Sequence, residues 1–272
     1  MPFGLSHWGN WLRRVPQRQV WRNFLADVNA VTPSQPATAG LRAIASGGGI
    51  GVPAANRTPS PFHLRNNNRA DAVADSLSDR YMLWIDGVGA FQLCSGDQFL
   101  IGAPTLESTM PDICLMANLS RRHATLQRTG EDWFIHPHQS TVVSGRTVTG
   151  PTLLRTGDAI CLAERVRLGF RIPSVLGGSA LIDFESHHRP VHSVDGIILM
   201  TDRVLLGPRR DHHVCCPDWP DLVVIYRQDG QLRCKSKVPL TVNNEKVRDS
   251  AVLTSGAVVA GDEFRFRIEK LS

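Results

Sequence analysis

Beyond Arg80 the apolar residues fall in runs of four to seven, rich in Val, Ile, Leu and aromatics and broken by Gly, Asp, Asn and Pro. YMLWID, AFQLC, QFLIG, DICLM, HATLQR, DWFIHP, STVVSG, RTVTG, AICLA and VRLGFRI follow one another closely, and no long 3.6-residue periodicity interrupts them. Such runs predict short strands joined by tight turns, hence antiparallel β-sandwiches and not alternating βαβ units.

The pattern then repeats. GVGAFQLCSGDQFLIGA (87–103) parallels GIILMTDRVLLGP (196–208), HATLQRTGEDWFI parallels VVIYRQDGQLRCK, STVVSGRTV parallels PLTVNNEKV, LLRTGDAICLAERVRLGFRI parallels VLTSGAVVAGDEFRFRI, and YMLWID has a partner in ALIDF. Self-similarity at this period points to two copies of one small sandwich. The expected fold is all-β: two tandem antiparallel β-sandwiches, 80–175 and 176–272, meeting at Pro173–Gly178 and packed together.

The first 79 residues follow a different rule. From Thr32 the chain runs through VTPSQPATAG, SGGGIGVPAANRTPSP and RNNNRADAVADSLSD, whose few large apolar groups cannot offset chain entropy, so a linker is expected. Before it, Val20, Trp21, Phe24, Leu25 and Val28 recur at helical spacing after Pro16, which predicts one short helix. SGGGIGVP follows no strand and lacks Gly-Lys-Ser/Thr, so it is read as linker and not as a phosphate-cradling loop.

Charge sharpens this division. Residues 1–80 carry nine arginines against four aspartates, a surplus of five, which equals the whole-chain net charge of +5. The basic character thus belongs to the arm, where a solvated tether is preferred over a nucleic-acid contact. The longest apolar runs fall short of a membrane span and MPFGLSHWGNWLRR lacks the order of a secretory signal, so the expectation is a soluble, cytoplasmic protein. The six cysteines form no C-x-x-C pair. Cys215, Cys216 and Cys234 with His212 and His213 suit tetrahedral zinc poorly because two of the thiols are adjacent, so no metal and no cofactor is expected. His187–His188 and His212–His213 read as solvated loop residues.

Four motifs in order carry a resemblance over residues 81–173: Ile101-Gly102, Ser120-Arg121-Arg122-His123-Ala124, Thr141-Val142-Val143-Ser144-Gly145, and Leu154-x-x-Gly157-Asp158-x-Ile160. This series is similar to that of forkhead-associated (FHA) domains, in which Gly-Arg, Ser-x-x-His, Thr-x-Val-Asn-Gly and Leu-x-x-Gly-Asp follow one another. The resemblance implies a two-sheet sandwich whose end loops bind a phosphothreonine peptide. Ser120 would supply a hydroxyl, Arg121 a guanidinium and Thr141 a second hydroxyl, with Ser144 at the position of a peptide-contacting Asn and Gly145 in the turn beside it. Gly102, His123, Gly157 and Asp158 would be structural, His123 steadying the loop from beneath. Two positions depart from the family: Ala103 stands where an arginine belongs, with Arg122 or Arg146 as the substitute cation, and Ser144 stands for Asn.

The second copy has Pro220-Asp221-Leu222-Val223 at the Ser-Arg-Arg-His position, which puts a carboxylate where an anion would need a cation, while Asn243 and Gly207-Pro208 keep the turns. It is read as degenerate and structural. The implied function is a non-catalytic adaptor for a phosphorylated protein, either a Ser/Thr kinase or its substrate. Three readings compete with it. One is a scaffold that binds partners without regard to phosphate. Another is nucleic-acid binding through the arm, with Trp8, Trp11 and Phe24 for stacking. The third is a hydrolase using Ser120, His123 and Asp112, or His136 with His138, which the absence of a Gly-x-Ser-x-Gly elbow opposes.

Overall fold

The computed structural model describes residues 79–105, 110–174 and 177–271. The arm and its expected helix lie outside the described residues. Eleven strands come from the first repeat: β1 (Asp79–Ile85), β2 (Gly89–Ser95), β3 (Gln98–Gly102), β4 (Ile113–Cys114), β5 (Ala124–Thr129), β6 (Asp132–Pro137), β7 (Thr141–Val143), β8 (Arg146–Val148), β9 (Thr152–Leu154), β10 (Asp158–Leu162) and β11 (Val166–Arg171). The second repeat gives the matching eleven: β12 (Ala180–Phe184), β13 (Gly196–Met200), β14 (Arg203–Gly207), β15 (Val214–Cys215), β16 (Val223–Gln228), β17 (Gln231–Ser236), β18 (Leu240–Val242), β19 (Glu245–Val247), β20 (Ala251–Val252), β21 (Val258–Ala260) and β22 (Arg265–Lys270). Among the described residues no helix is long and apolar enough to cross a membrane.

Each repeat folds its middle strands into a five-stranded sheet of the same order, β4-β3-β5-β6-β9 and β15-β14-β16-β17-β20. The remaining strands join in one sheet of twelve, β19-β18-β21-β22-β1-β2-β13-β12-β11-β10-β7-β8. That order shows an exchange. β1 and β12 occupy the same place in the two repeats, yet β1 pairs with β22, the last strand of the second repeat, and β12 pairs with β11, the last strand of the first. The β1–β2 hairpin therefore closes the sandwich of β14–β22, and the β12–β13 hairpin closes that of β3–β11. The joint expected between two bodies falls between two paired strands, β11 and β12, with Arg171 opposite Leu181.

Burial follows the exchange. Strands with one wet face alternate, as β22 does with Phe266 and Ile268 inside and Arg265 and Arg267 outside. β13 is buried along its whole length because it lies at the centre of the long sheet, parallel to β2, with a core on either face. Ile197 and Leu199 join Phe99, Trp133 and Phe170 in one core, whereas Ile198 and Met200 join Trp219, Phe264 and Phe266 in the other. Leu83, Ile85 and Leu93 of the first repeat sit in the second core.

Two arginines at equivalent places tie the exchanged hairpins down. Arg128 of β5 donates through Nη1 to Thr201 Oγ1 (2.8 Å) and Asp202 Oδ2 (2.9 Å), just past β13. Arg227 of β16 donates to Ser95 Oγ (3.1 Å) and Asp79 Oδ2 (3.2 Å), at the end of β2 and the start of β1. Gly178 makes room for the first of these: its φ is +59°, and a Cβ there would lie 2.2 Å from an Arg128 nitrogen.

The junction also holds His213, which is buried and not solvated as the sequence suggested. Its Nδ1 accepts from the Leu205 N–H (3.1 Å) and its Nε2 donates to the Ser179 carbonyl (3.2 Å). Burial drives its pKa down to about 4. His212 is buried too, with Nδ1 accepting from the Arg209 N–H (3.3 Å) and its ring packed against Gly207.

Two outcomes are expected. Leu83→Ala, which removes a fully buried side chain at a cost of about 2–5 kcal/mol, should accelerate amide exchange in β14–β22 before β3–β11, although Leu83 belongs to the first repeat. Faster exchange confined to β3–β11 contradicts the pairing. For His213, a folded pKa below the unfolded one means its contribution is whole above pH 6.5 and is lost as pH falls from there toward 4, by as much as about 3 kcal/mol. Denaturation of His213→Gln across that window should show a flatter pH dependence than the parent.

Candidate functional site

The end of β3 is where the first sandwich brings its polar loops together. The Leu115 N–H donates to the Gly102 carbonyl (2.9 Å), the Ala103 N–H to the Ser120 carbonyl (3.1 Å) and the His123 N–H to the Ile101 carbonyl (2.9 Å), so loop 115–123 leaves β3 and returns to it. Gly102 permits that return because a Cβ there would stand 1.8 Å from the Arg121 carbonyl oxygen. No side chain larger than hydrogen fits against that backbone.

His123 then joins a second loop to the first. It is 2% exposed, its Nε2 donates to the Ser140 carbonyl (3.0 Å), and its own carbonyl accepts from the His138 N–H (2.9 Å) and the Gln139 N–H (3.0 Å). A buried ring and a buried carbonyl thus fix 138–140 beside 120–123, and the side chains left at the surface are Ser120, Arg121, Arg122, His138, Gln139 and Ser140. The histidine holds the two loops together from beneath.

Thr141 and Ser144 do not join this surface. Thr141 is fully buried at the start of β7 and its hydroxyl donates to the Gln139 carbonyl (2.9 Å), so a hydroxyl expected to meet a ligand instead closes the loop. Ser144 and Gly145 form the β7–β8 turn with φ of +46° and +80°. There the Ser144 N–H donates to the Ala159 carbonyl (2.8 Å) and its hydroxyl to Asp158 Oδ1 (2.6 Å), which ties it to β10. Asp158 also accepts from the Arg155 N–H (2.7 Å) across Gly157, whose φ is +94°. These four residues are a turn-holding group. Gln139, which the motif series passed over, is an exposed amide side chain in the loop that His123 holds, its N–H donating to the His123 carbonyl (3.0 Å).

Electrostatics separate the two candidate cations. Burial, then Arg122, His136 and His123, depress the pKa of His138, whose Nε2 shares a hydrogen bond with Thr125 Oγ1 (2.9 Å). Arg122 is therefore close to the joined loops, while Arg146 lies on β8 past the Ser144–Gly145 turn. The second repeat keeps the turn and loses the surface: Asn243 and Asn244 adopt φ of +52° and +69°, and Asn243 Oδ1 accepts from the Val258 N–H (3.0 Å), but in the strand register Asp221 stands where Arg122 does, one place on from the sequence alignment, and the Leu222 N–H donates back to it (2.7 Å).

The Ser120, His123 and Asp112 side chains do not form a hydrogen-bonded set at this surface. His123 directs one nitrogen to the Ser140 carbonyl and buries the other without a hydrogen-bond partner, and Asp112 accepts from the Leu100 N–H (2.8 Å), so neither serves Ser120 as base or orienter. Cys216 and Cys234 are buried thiols pushed up to about 12 by desolvation, which disfavours the thiolate a metal needs, and among the described residues no group of three His, Cys, Asp or Glu is placed to hold an ion.

Residues 108–163, which include the site described above, match the sequence model of the FHA domain. FHA domains serve generally as protein-interaction modules. No curated protein matches the chain. Among solved structures it is similar to the Rv0020c FHA structure, at 21% identity over 33% of this chain and 90% of that one with a TM-score of 0.20. It is also similar to the N-terminal FHA domain from EssC, a component of the bacterial Type VII secretion apparatus, at 12% identity over 71% of this chain and 95% of that one with a TM-score of 0.21. At those scores neither likeness bears on the geometry.

Gly102→Ala should lower stability by at least about 2 kcal/mol, because backbone must move to admit the methyl group. Gly145→Ala, with open space around its Cβ, should cost only the left-handed conformation, about 1–2 kcal/mol. Thermal melts of the two variants check the order, and equal costs contradict the packing at Gly102.

Proposed function

We propose that the protein is a non-catalytic, cytoplasmic adaptor that binds phosphothreonine-bearing segments of a Ser/Thr kinase or its substrate at the surface formed by Ser120, Arg121, Arg122 and Gln139. The observation that carries this reading is the set of hydrogen bonds by which His123 holds loop 138–140 against loop 120–123. A dianionic phosphate needs hydroxyl and amide donors backed by cations. Ser120 offers a hydroxyl and Arg121 a guanidinium. Arg122, close enough to depress His138, stands in for the arginine that Ala103 lacks. Gln139 offers an amide with donors and an acceptor to the peptide backbone, the part first assigned to Ser144. The second repeat, with Asp221 at the equivalent place, braces the first through the exchanged hairpins and binds no phosphate.

The test is titration of the full chain with one threonine peptide in phosphorylated and unphosphorylated form. Ser120→Ala and Arg121→Ala should each weaken binding of the phosphorylated form by about tenfold to a hundredfold, the worth of one charge-assisted hydrogen bond. Thr141→Val should leave it within about twofold, since that hydroxyl lies inside. Equal affinity for both peptides, or indifference to both site substitutions, would leave the phospho-independent scaffold as the better reading.

A further inference from the structure

The β12–β13 connection runs from 185 to 195, whereas its counterpart between β1 and β2 is the short turn 86–88. Hairpin exchange carries this long connection onto the first sandwich. Leu115 forms an antiparallel bridge with Pro190, the Met116 N–H donates to the Arg189 carbonyl (3.0 Å), and the Val191 N–H donates to the Cys114 carbonyl (3.1 Å). Residues 189–191 thereby extend the five-stranded sheet past its edge strand β4, beside the loop that presents Ser120. A feature of the second repeat has been added to the ligand-facing end of the first.

Its outward face has a defined chemistry. Leu115 and Pro190 are buried, so the alternation of an antiparallel pair turns Met116, Arg189 and Val191 to the opposite side. Met116 is 61% and Val191 44% exposed, and they are diagonal neighbours across the pair. Arg189 is held in place: Nη1 donates to the Ser186 (2.6 Å) and His188 (3.0 Å) carbonyls, and its guanidinium lies 5.2 Å from the Phe184 ring centroid. Three residues separate Met116 from Ser120, and the loop between them doubles back through hydrogen bonds from Ala117 to Leu115 and from Leu119 to Ala117. Met116 therefore lies within about 14 Å of Ser120, a reach of roughly four extended Cα steps.

Resting on the proposed phosphothreonine reading, we infer that Met116, Val191 and Arg189 form a second reading surface at the same site, which selects a large apolar side chain at a position flanking the phosphothreonine. The apolar pair buries that side chain. The fixed guanidinium repels a peptide carrying Lys or Arg there.

Binding of the full chain to a phosphothreonine peptide set tests this, with each flanking position carrying Leu, Ser or Lys in turn. At one position Leu should bind about tenfold tighter than Ser, as burial of a Leu-sized side chain allows, and Lys weaker than Ser. Met116→Ser and Val191→Ser, both at exposed positions, should erase most of that Leu-to-Ser ratio while leaving the Ser peptide within about twofold of its original affinity. Ser120→Ala should weaken every peptide by one common factor. A ratio that survives both strip substitutions, or a uniform weakening of all peptides by them, overturns the inference and makes the segment a cover for β4 only. Phosphate-dependent, Ser120-dependent binding with no flanking preference sinks the inference alone; binding indifferent to phosphate sinks it together with the reading beneath it.

Discussion

A buried histidine joins two loops that the chain otherwise keeps apart, and the ligand-facing surface depends on that joint. His123 donates from its ring to one carbonyl of loop 138–140 and accepts at its own carbonyl from two amides of the same loop. Both loops carry short polar side chains with no core of their own, so without these bonds their spacing would drift on the timescale of loop motion. Gly102 completes the arrangement from the other side, since only a bare Cα lets the Ser120–Arg121 backbone lie against β3. Preorganisation of this kind lets a few donors discriminate a phosphate from a hydroxyl, because the cost of ordering them has been met by folding.

Hairpin exchange supplies the second level of organisation. Had each repeat closed on itself, the two sandwiches would meet at a modest interface and move relative to each other. Instead β1–β2 and β12–β13 cross over, lie parallel at the centre of one sheet, and carry apolar side chains on both faces. The sandwich of β3–β11 is thereby held in a frame to which the second repeat contributes a hairpin. The Arg128 and Arg227 anchors show how closely the two halves still mirror each other.

Much of this was legible in the chain. Alternation along HATLQR and DWFIHP predicts β5 and β6, and GIILM, apolar throughout, suits a strand covered on both faces, which is the environment of β13. The exchange itself was not legible, because β1 and β12 share one apolar pattern and either could pair with β11 or β22. Nor does a motif reveal rotamer or burial: Thr141 matches the family residue by residue, yet it opens β7 facing the core. Gln139 lies in a loop without periodicity and carried no signal until the bond from its N–H to the His123 carbonyl tied that loop to 120–123. His212 and His213 resemble solvated residues because they follow Arg209, Arg210 and Asp211, but the turn folds them back onto Gly207 and Ser179. The choice of Arg122 over Arg146 likewise required the placement of His138.

The central claim, that the joined loops of the first repeat meet the phosphate, is tested most directly by mapping amide chemical shifts of the full chain on addition of a phosphothreonine peptide. The account predicts that the largest changes fall on residues 120–122 and 138–140, and that the equivalent amides at 219, 221, 237 and 238 stay in place. Changes centred on the second repeat or on the Ser144–Gly145 turn, with 120–122 unmoved, would contradict it.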